Sequence, residues 1–282
     1  VGEELTMQAM TDSRTVDAGA GGDDERPVAS RPLWVIFGSL LLLAALAFGT
    51  FNIIEVLAHE ERTERFTVPA VDLDGLLVAN DSGSVTIVGS DTDEISVDAE
   101  VSDGLRETGF RHEVVGSTLE IHGTCPLIGS MWCRVTLRIE VPLSLSLDIN
   151  VDNDRVDIGN VDGDVRVDAD NGAVELSDVS GRVDVHSDNG RVSGTDLSGS
   201  VAGVESDNGR VDLEFTSPPD SVTVESDNGG VDIAVPDVEG GYSVATESDN
   251  GSIDVTVNDN PDSPRTIRVS SDNGSVTVRT AA

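Results

Sequence analysis

Apolar and polar residues alternate with a period of two along most of this chain, the pattern of strands that bury one face. Val85/Ile87, Ile95/Val97, Leu119/Ile121, Val135/Leu137/Ile139 and Leu145/Leu147/Ile149 carry it through the first half. From residue 151 the alternation becomes regular. Val156/Ile158, Val165/Val167, Val174/Leu176, Val183/Val185 and their successors, among them Val201, Val244, Ile253, Val255, Val276 and Val278, are expected to face inward. Two stretches depart from this. Residues 103–117 have a mixed pattern that fits a short helix or a loop, and residues 32–54 carry no charge. At ~1.5 Å per residue that uncharged run reaches ~34 Å as a helix, enough for a ~30 Å hydrocarbon core.

Turn residues punctuate the alternation at nearly fixed intervals. Ser-Asp-Asn-Gly occurs five times, at 187–190, 206–209, 226–229, 248–251 and 271–274; residues 169–172 differ from it by one residue, and 151–154 keep the Asp-Asn core. The asparagines fall at 153, 171, 189, 208, 228, 250 and 273, in steps of 18, 18, 19, 20, 22 and 23 residues. A second turn lies midway, at Asp162-Gly163, Ser180-Gly181 and Ser198-Gly199. Two short strands and two turns per period make one rung of a parallel β-helix, whose inward face is buried only by stacking. Gly and Asn suit left-handed turn backbone, and rungs ~4.8 Å apart would align the asparagines as an amide ladder. Asp170, Asp188, Asp207, Asp227, Asp249 and Asp272 would then form a column of like charges, the place where a cation would make contact. Asn-Gly is equally a hairpin signal, so an antiparallel β-meander with Ala169 opposite Val174 is the alternative.

The expected organisation is a disordered tail over residues 1–31, a transmembrane helix over 32–57, a charged and helical juxtamembrane stalk over 58–65, and an all-β domain over 66–282. Trp34 and Phe51 fall where interfacial aromatics sit. A cleaved signal peptide is the competing reading, with an apolar stretch longer than usual. Arg26 and Arg31 on one side against Arg62 and Arg65 on the other leave the charge rule for orientation balanced. Cys125 and Cys133 frame an uncharged loop between two strands, where a disulfide could staple it; such a bridge would put the domain outside the membrane and the N-terminus in the cytoplasm. Two buried thiols in a cytosolic domain are the alternative.

Charge narrows the partners. The chain has 53 acidic and 17 basic residues, a net charge of −36, and every basic residue is Arg. Such a surface excludes nucleic-acid backbones and favours cations or basic proteins. The final edge, around Val276 and Val278, is expected to lie open for pairing with another chain, since Ala281-Ala282 offers no cap.

A family resemblance rests on particular residues. The apolar run is followed by Leu77-Val78-Ala79-Asn80-Asp81-Ser82-Gly83-Ser84-Val85-Thr86-Ile87, by Ile139-Glu140-Val141-Pro142, and by units such as Gly181-Arg182-Val183-Asp184-Val185-His186-Ser187-Asp188-Asn189-Gly190. Over residues 66–278 the chain resembles the putative-adhesin β-strand-repeat domain of bacterial membrane-anchored proteins. The resemblance implies a parallel β-helix and an extracytoplasmic location, and it brings no catalytic residues.

Chemistry of its own is not expected. Residues 151–282 hold 28 acidic residues, so no one carboxylate pair is informative, and their only aromatics are Phe215 and Tyr242. His186, the one histidine there, falls on the outward face. Calcium would suit aspartate-rich turns such as Asp168-Ala169-Asp170-Asn171-Gly172, but the EF-hand spacing fails and diffuse screening by cations is the simpler expectation. The leading expectation is a non-enzymatic, single-pass membrane protein presenting a binding, adhesion or scaffolding surface to an extracellular protein or glycan. An envelope-stress sensor acting through the tail is the second reading, and a carbohydrate-active enzyme the third.

Overall fold

The computed structural model describes residues 31–57, 59–127 and 132–281. The expected disordered tail lies outside them but for Arg31. The chain divides into two units, residues 1–50 and 51–282. One helix, Arg31–Leu57, covers the uncharged run. Pro32 sits in its first turn, where a missing N–H costs nothing, and Leu and Ala dominate its middle. Its side chains are described over residues 34–50, and those of Trp34, Leu40 and Phe48 are exposed. Among the described residues no helix is long and apolar enough to count as a membrane span.

From Glu60 onward the second unit is built of strands and turns, in two sheets of eleven and ten strands. The strand Val165–Asn171 pairs in parallel with Ser146–Asn153 and Val183–Asn189 in one sheet. Val174–Val179 pairs in parallel with Val156–Val161 and Val192–Leu197 in the other. Each repeat therefore gives one strand to each sheet. The hairpin across Asn-Gly does not form: Ala169 lies beside Val151 and Ser187, not Val174. Parallel stacking lets one repeat supply both layers of the core, whereas a hairpin would need a second layer from elsewhere.

The expected inward residues are buried with four exceptions. Val201, Val244 and Val255 are half-buried, and Ile253 is 45% exposed. Val201 falls one place out of register, because Ala202 is the residue beside Val183. The other three lie on the last strands of the stack, with no neighbour beyond. The sequence reading also missed an inward column formed by Val161, Val179, Leu197 and Phe215, all buried. Three of the four follow a left-handed residue: Asn160, Asp178 and Asp196 have φ of 57°, 53° and 54°. That conformation shifts the alternation by one, so the next apolar side chain points inward three positions on rather than two.

Both ends of the stack depart from sequence order. At one end Glu60–Pro69 pairs antiparallel with Glu94–Asp103, and Gly109–Val115 pairs antiparallel with Thr118–Thr124. Residues 60–65 are therefore strand rather than helical stalk, with Arg62, Glu64, Phe66 and Val68 half-buried on one face. Residues 109–115 are likewise strand, where a short helix or loop was expected.

At the other end the last strands do not lie last. Thr266–Asn273 sits between Ser221–Asn228 and Ser243–Ser248, and Val276–Thr280 sits between Val231–Val235 and Ile253–Val255. Val276 and Val278 are fully buried, which corrects the expected open edge. The edge belongs instead to Ser243–Ser248 and Ile253–Val255. Skipping one place and returning needs a chain reach of about two strand spacings, ~10 Å, and the longer steps of 22 and 23 residues supply it.

Candidate functional site

The Ser-Asp-Asn-Gly corners stack in register, Asn153 beside Asn171, then Asn189, Asn208, Asn228 and Asn273. The side-chain amide of Asn189 donates to Asn171 Oδ1 at 3.3 Å, Asn208 to Asn189 at 3.2 Å, and Asn228 to Asn208, Asn273 to Asn228 and Asn250 to Asn273 at 3.1 Å. Most of these amides also donate to the backbone carbonyl of an aspartate one repeat back, as Asn208 does to Asp188. The expected amide ladder is thus present along the exposed corner.

The glycines serve another purpose than the one expected. None of the Gly residues in these corners has positive φ. What they supply is room: a Cβ on Gly190 or Gly209 would lie 1.7 Å from the carbonyl oxygen of the preceding repeat's glycine, and on Gly229 1.6 Å. Where the motif has Asp154 in the glycine's place, that residue takes a φ of 99°. Its carboxylate accepts a hydrogen bond from Gly83 N–H at 2.9 Å.

The motif serines point inward. Ser187, Ser206, Ser226 and Ser271 are buried in the positions that Val151 and Ala169 hold in earlier repeats. Ser271 Oγ donates to Gly229 O at 3.3 Å and Ser248 Oγ to Gly274 O at 3.0 Å. Among the described residues the hydroxyls of Ser187, Ser206 and Ser226 find no hydrogen-bond partner, so this column is less well satisfied than the amides outside it.

The aspartates line the same corner on its solvent side. Asp170, Asp227, Asp249 and Asp272 are exposed, and Asp188 and Asp207 are half-exposed. Asp152 extends the column. Its carboxyl is pushed above the ordinary aspartate range, first by partial burial and then by the neighbouring charges of Asp81 and Asp170. Asp81, absent from the sequence-derived column, is therefore part of it. Only the motif fragment Asn80-Asp81-Ser82-Gly83 hinted at this, and Asn80 is buried, donating to Gly83 O and Val135 O. Among the described residues no group of three or more His, Cys, Asp or Glu is arranged to hold a metal ion.

The outward faces of the sheets are acid-rich, and many arginines are engaged with carboxylates. Arg166 meets Asp184 at 2.6 Å, Arg279 meets Asp232 at 2.9 Å, and Arg155 meets Glu175 at 3.2 Å. A depression of about 470 Å³ on one face is lined by Leu77, Glu120, Asp148, Arg166, Arg182 and Asp184. His186 sits between two acids, with Asp188 3.2 Å from Nε2 and Glu205 3.5 Å from Nδ1. It lies on the outward face, as expected, with both carboxylates within reach of its ring nitrogens.

Cys125 and Cys133 form a disulfide, with Cα atoms 5.7 Å apart. The base of this loop is pinned: Cys125 N–H donates to Asp81 Oδ2 at 2.7 Å, and Cys133 is buried. Trp132 lies against His59, ring centroids 4.9 Å apart, while Leu127 is fully exposed. Period-two reasoning could not place these residues, since they belong to a loop and to the residue before a strand.

No protein-family model matches the chain, and no curated protein matches it. Among solved structures it is similar to a putative cell adhesion protein from Clostridium sporogenes, at 12% identity over 79% of this chain and all (100%) of that one, with a TM-score of 0.41. A putative adhesin from Bacteroides fragilis is 14% identical over 79% of this chain and 97% of its own, with a TM-score of 0.40. A putative adhesin from Parabacteroides distasonis is 16% identical over 78% and 97%, with a TM-score of 0.35.

Proposed function

We propose that this chain is a single-pass membrane protein holding an acidic parallel β-solenoid outside the membrane as a non-enzymatic binding or scaffolding surface. The observation that carries the reading is the in-register repetition of exposed acids along the solenoid. The Ser-Asp-Asn-Gly corner presents Asp170, Asp188, Asp207, Asp227, Asp272 and Asp249 in one line, and the adjacent face adds Asp168, Glu205 and Glu225 in a second line that His186 interrupts. A rigid row of like charges at strand spacing suits a partner that is itself extended and cationic, or one rich in hydrogen-bond donors: a basic protein segment, a cation layer or a glycan.

The anchor reading rests on the sequence, on the uncharged residues 32–54. The exterior placement is supported by the disulfide, since such bridges persist in oxidising compartments. Protease added to intact cells that express the full chain with a C-terminal epitope tests the arrangement. The tag is expected to be lost from unbroken cells while a membrane-bound fragment remains. A tag that stays protected until the cells are lysed would overturn the exterior placement.

A further inference from the structure

Asn-Gly is a chemically fragile dipeptide, because asparagine is thermolabile and glycine has no Cβ to obstruct its own nitrogen as that nitrogen approaches the asparagine side chain. The chain has six, beginning at Asn171, Asn189, Asn208, Asn228, Asn250 and Asn273, each on a corner of the repeat. Reaction asks two things of the fold: a glycine N–H left open to act as nucleophile, and an asparagine amide able to turn toward it. Most of the stack withholds both.

In the interior corners the glycine N–H is already committed. Gly172 donates to Asn189 O at 3.0 Å, and Gly190 to Asn208 O, Gly209 to Asn228 O and Gly229 to Asn273 O at 3.1 Å. The amides there are held from two sides, as at Asn208, whose Nδ2 donates to Asn189 Oδ1 and whose Oδ1 accepts from Asn228. The corner at the open edge lacks both restraints. Asn250 makes one side-chain bond, to Asn273 Oδ1 at 3.1 Å, and no strand pairs beyond it to use its own Oδ1. Gly251 N–H has no hydrogen-bond partner among the described residues, and of the six glycines Gly251 alone is exposed while the others are half-buried. The corner at Asn273 is intermediate. Its amide is held by Asn228 and Asn250, but Gly274 N–H has no partner among the described residues, because the edge repeat meets this one through Asn250 N–H to Asp272 O at 2.8 Å instead.

We infer that Asn250-Gly251 is a modification site, at which the chain converts its own asparagine to aspartate or isoaspartate with water as the only reagent. The Gly251 nitrogen bonds to Asn250 Cγ while its proton passes through water to Nδ2. The Cγ–Nδ2 bond breaks, ammonia leaves, and a cyclic succinimide remains. Water then opens the ring at one carbonyl or the other, leaving a carboxylate where the amide stood. The product lies beside Asp249 on the open edge formed by Ser243–Ser248 and Ile253–Val255. One more negative charge there strengthens the edge against pairing with another chain, since charged side chains blunt an open edge.

The six corners make the test internal to one protein. The purified full chain is held folded in mildly alkaline buffer, sampled over days and digested at acid pH, where no further conversion occurs. Replacement of NH by O at each Asn-Gly is read by peptide mass spectrometry. Asn250 is expected to convert at least about tenfold faster than Asn171, Asn189, Asn208 and Asn228, whose reaction waits on local opening of the stack, with Asn273 in between. In urea, where the stack is lost, that difference is expected to vanish. Conversion of Asn250 in the folded chain no faster than at the interior corners would overturn the inference. So would an advantage of Asn250 that persists undiminished in urea, since it would then come from local sequence and not from the open edge.

Discussion

At the scale of single residues, the chain uses a few side-chain types for reasons that differ from their usual ones. Asp152 shows the cost of the acidic corner. Its folded carboxyl holds a proton to higher pH than the ordinary value near 3.8, so just above that value the folded state binds more protons than the unfolded state. Stability contributed by this group therefore falls as pH rises through the window and is restored as pH drops below it. Asp152→Asn is expected to raise the thermal midpoint at pH 7, and the gain should shrink toward zero as the pH approaches 3.5. Equal midpoints at pH 7 would remove Asp152 as a strained member of the column. Asp157 is raised too, by burial first, with Arg155 opposing and Glu175 adding to it. The Asn and Asp positions were legible from the repeated tetrapeptide. The inward turn of its serine was not, because Ser187 and its equivalents stand where a polar residue is read as outward.

At the scale of the element, the corner is a problem of space. Gly229 and Gly230 are neighbours with different surroundings: a Cβ on the first would lie 1.6 Å from Gly209 O, and on the second the nearest atoms are 3.5 Å away. Neither has positive φ. Gly229→Ala is expected to destabilise by roughly 1–3 kcal/mol or more, because a backbone carbonyl must move. Gly230→Ala should be neutral or stabilise by up to about 1 kcal/mol through the unfolded chain. Denaturant midpoints of the two variants check this, and equal losses would sink the packing explanation. Strand positions were read correctly wherever alternation was unbroken, as in Val165/Val167 and Val174/Leu176. They were misread after Asn160, Asp178 and Asp196, where one left-handed residue shifts the phase and hides Val161, Val179 and Leu197.

At the scale of the whole molecule, charge is the dominant long-range term. With −36 net and acids aligned at strand spacing, self-repulsion opposes the folded stack. Raising NaCl from ~0.01 to ~1 M shortens the screening length from ~30 to ~3 Å, below the ~4.8 Å between neighbouring repeats. The thermal midpoint is expected to climb steadily across that range, and calcium is expected to match sodium at equal ionic strength. A midpoint that ignores salt would show the columns to be energetically silent, and a jump at micromolar calcium would show specific sites. The sequence by itself determined the repeat, its period and the helix over the uncharged run, because each depends on residues close together in the chain. Only the tertiary structure decided which strands are neighbours. The choice between hairpin and parallel stacking, the placing of Thr266–Asn273 inside the edge formed by Ser243–Ser248, and the meeting of His59 with Trp132 all join residues distant in the chain. Local preference is the same for either neighbour there, and the decision falls to which arrangement buries both inward faces at once.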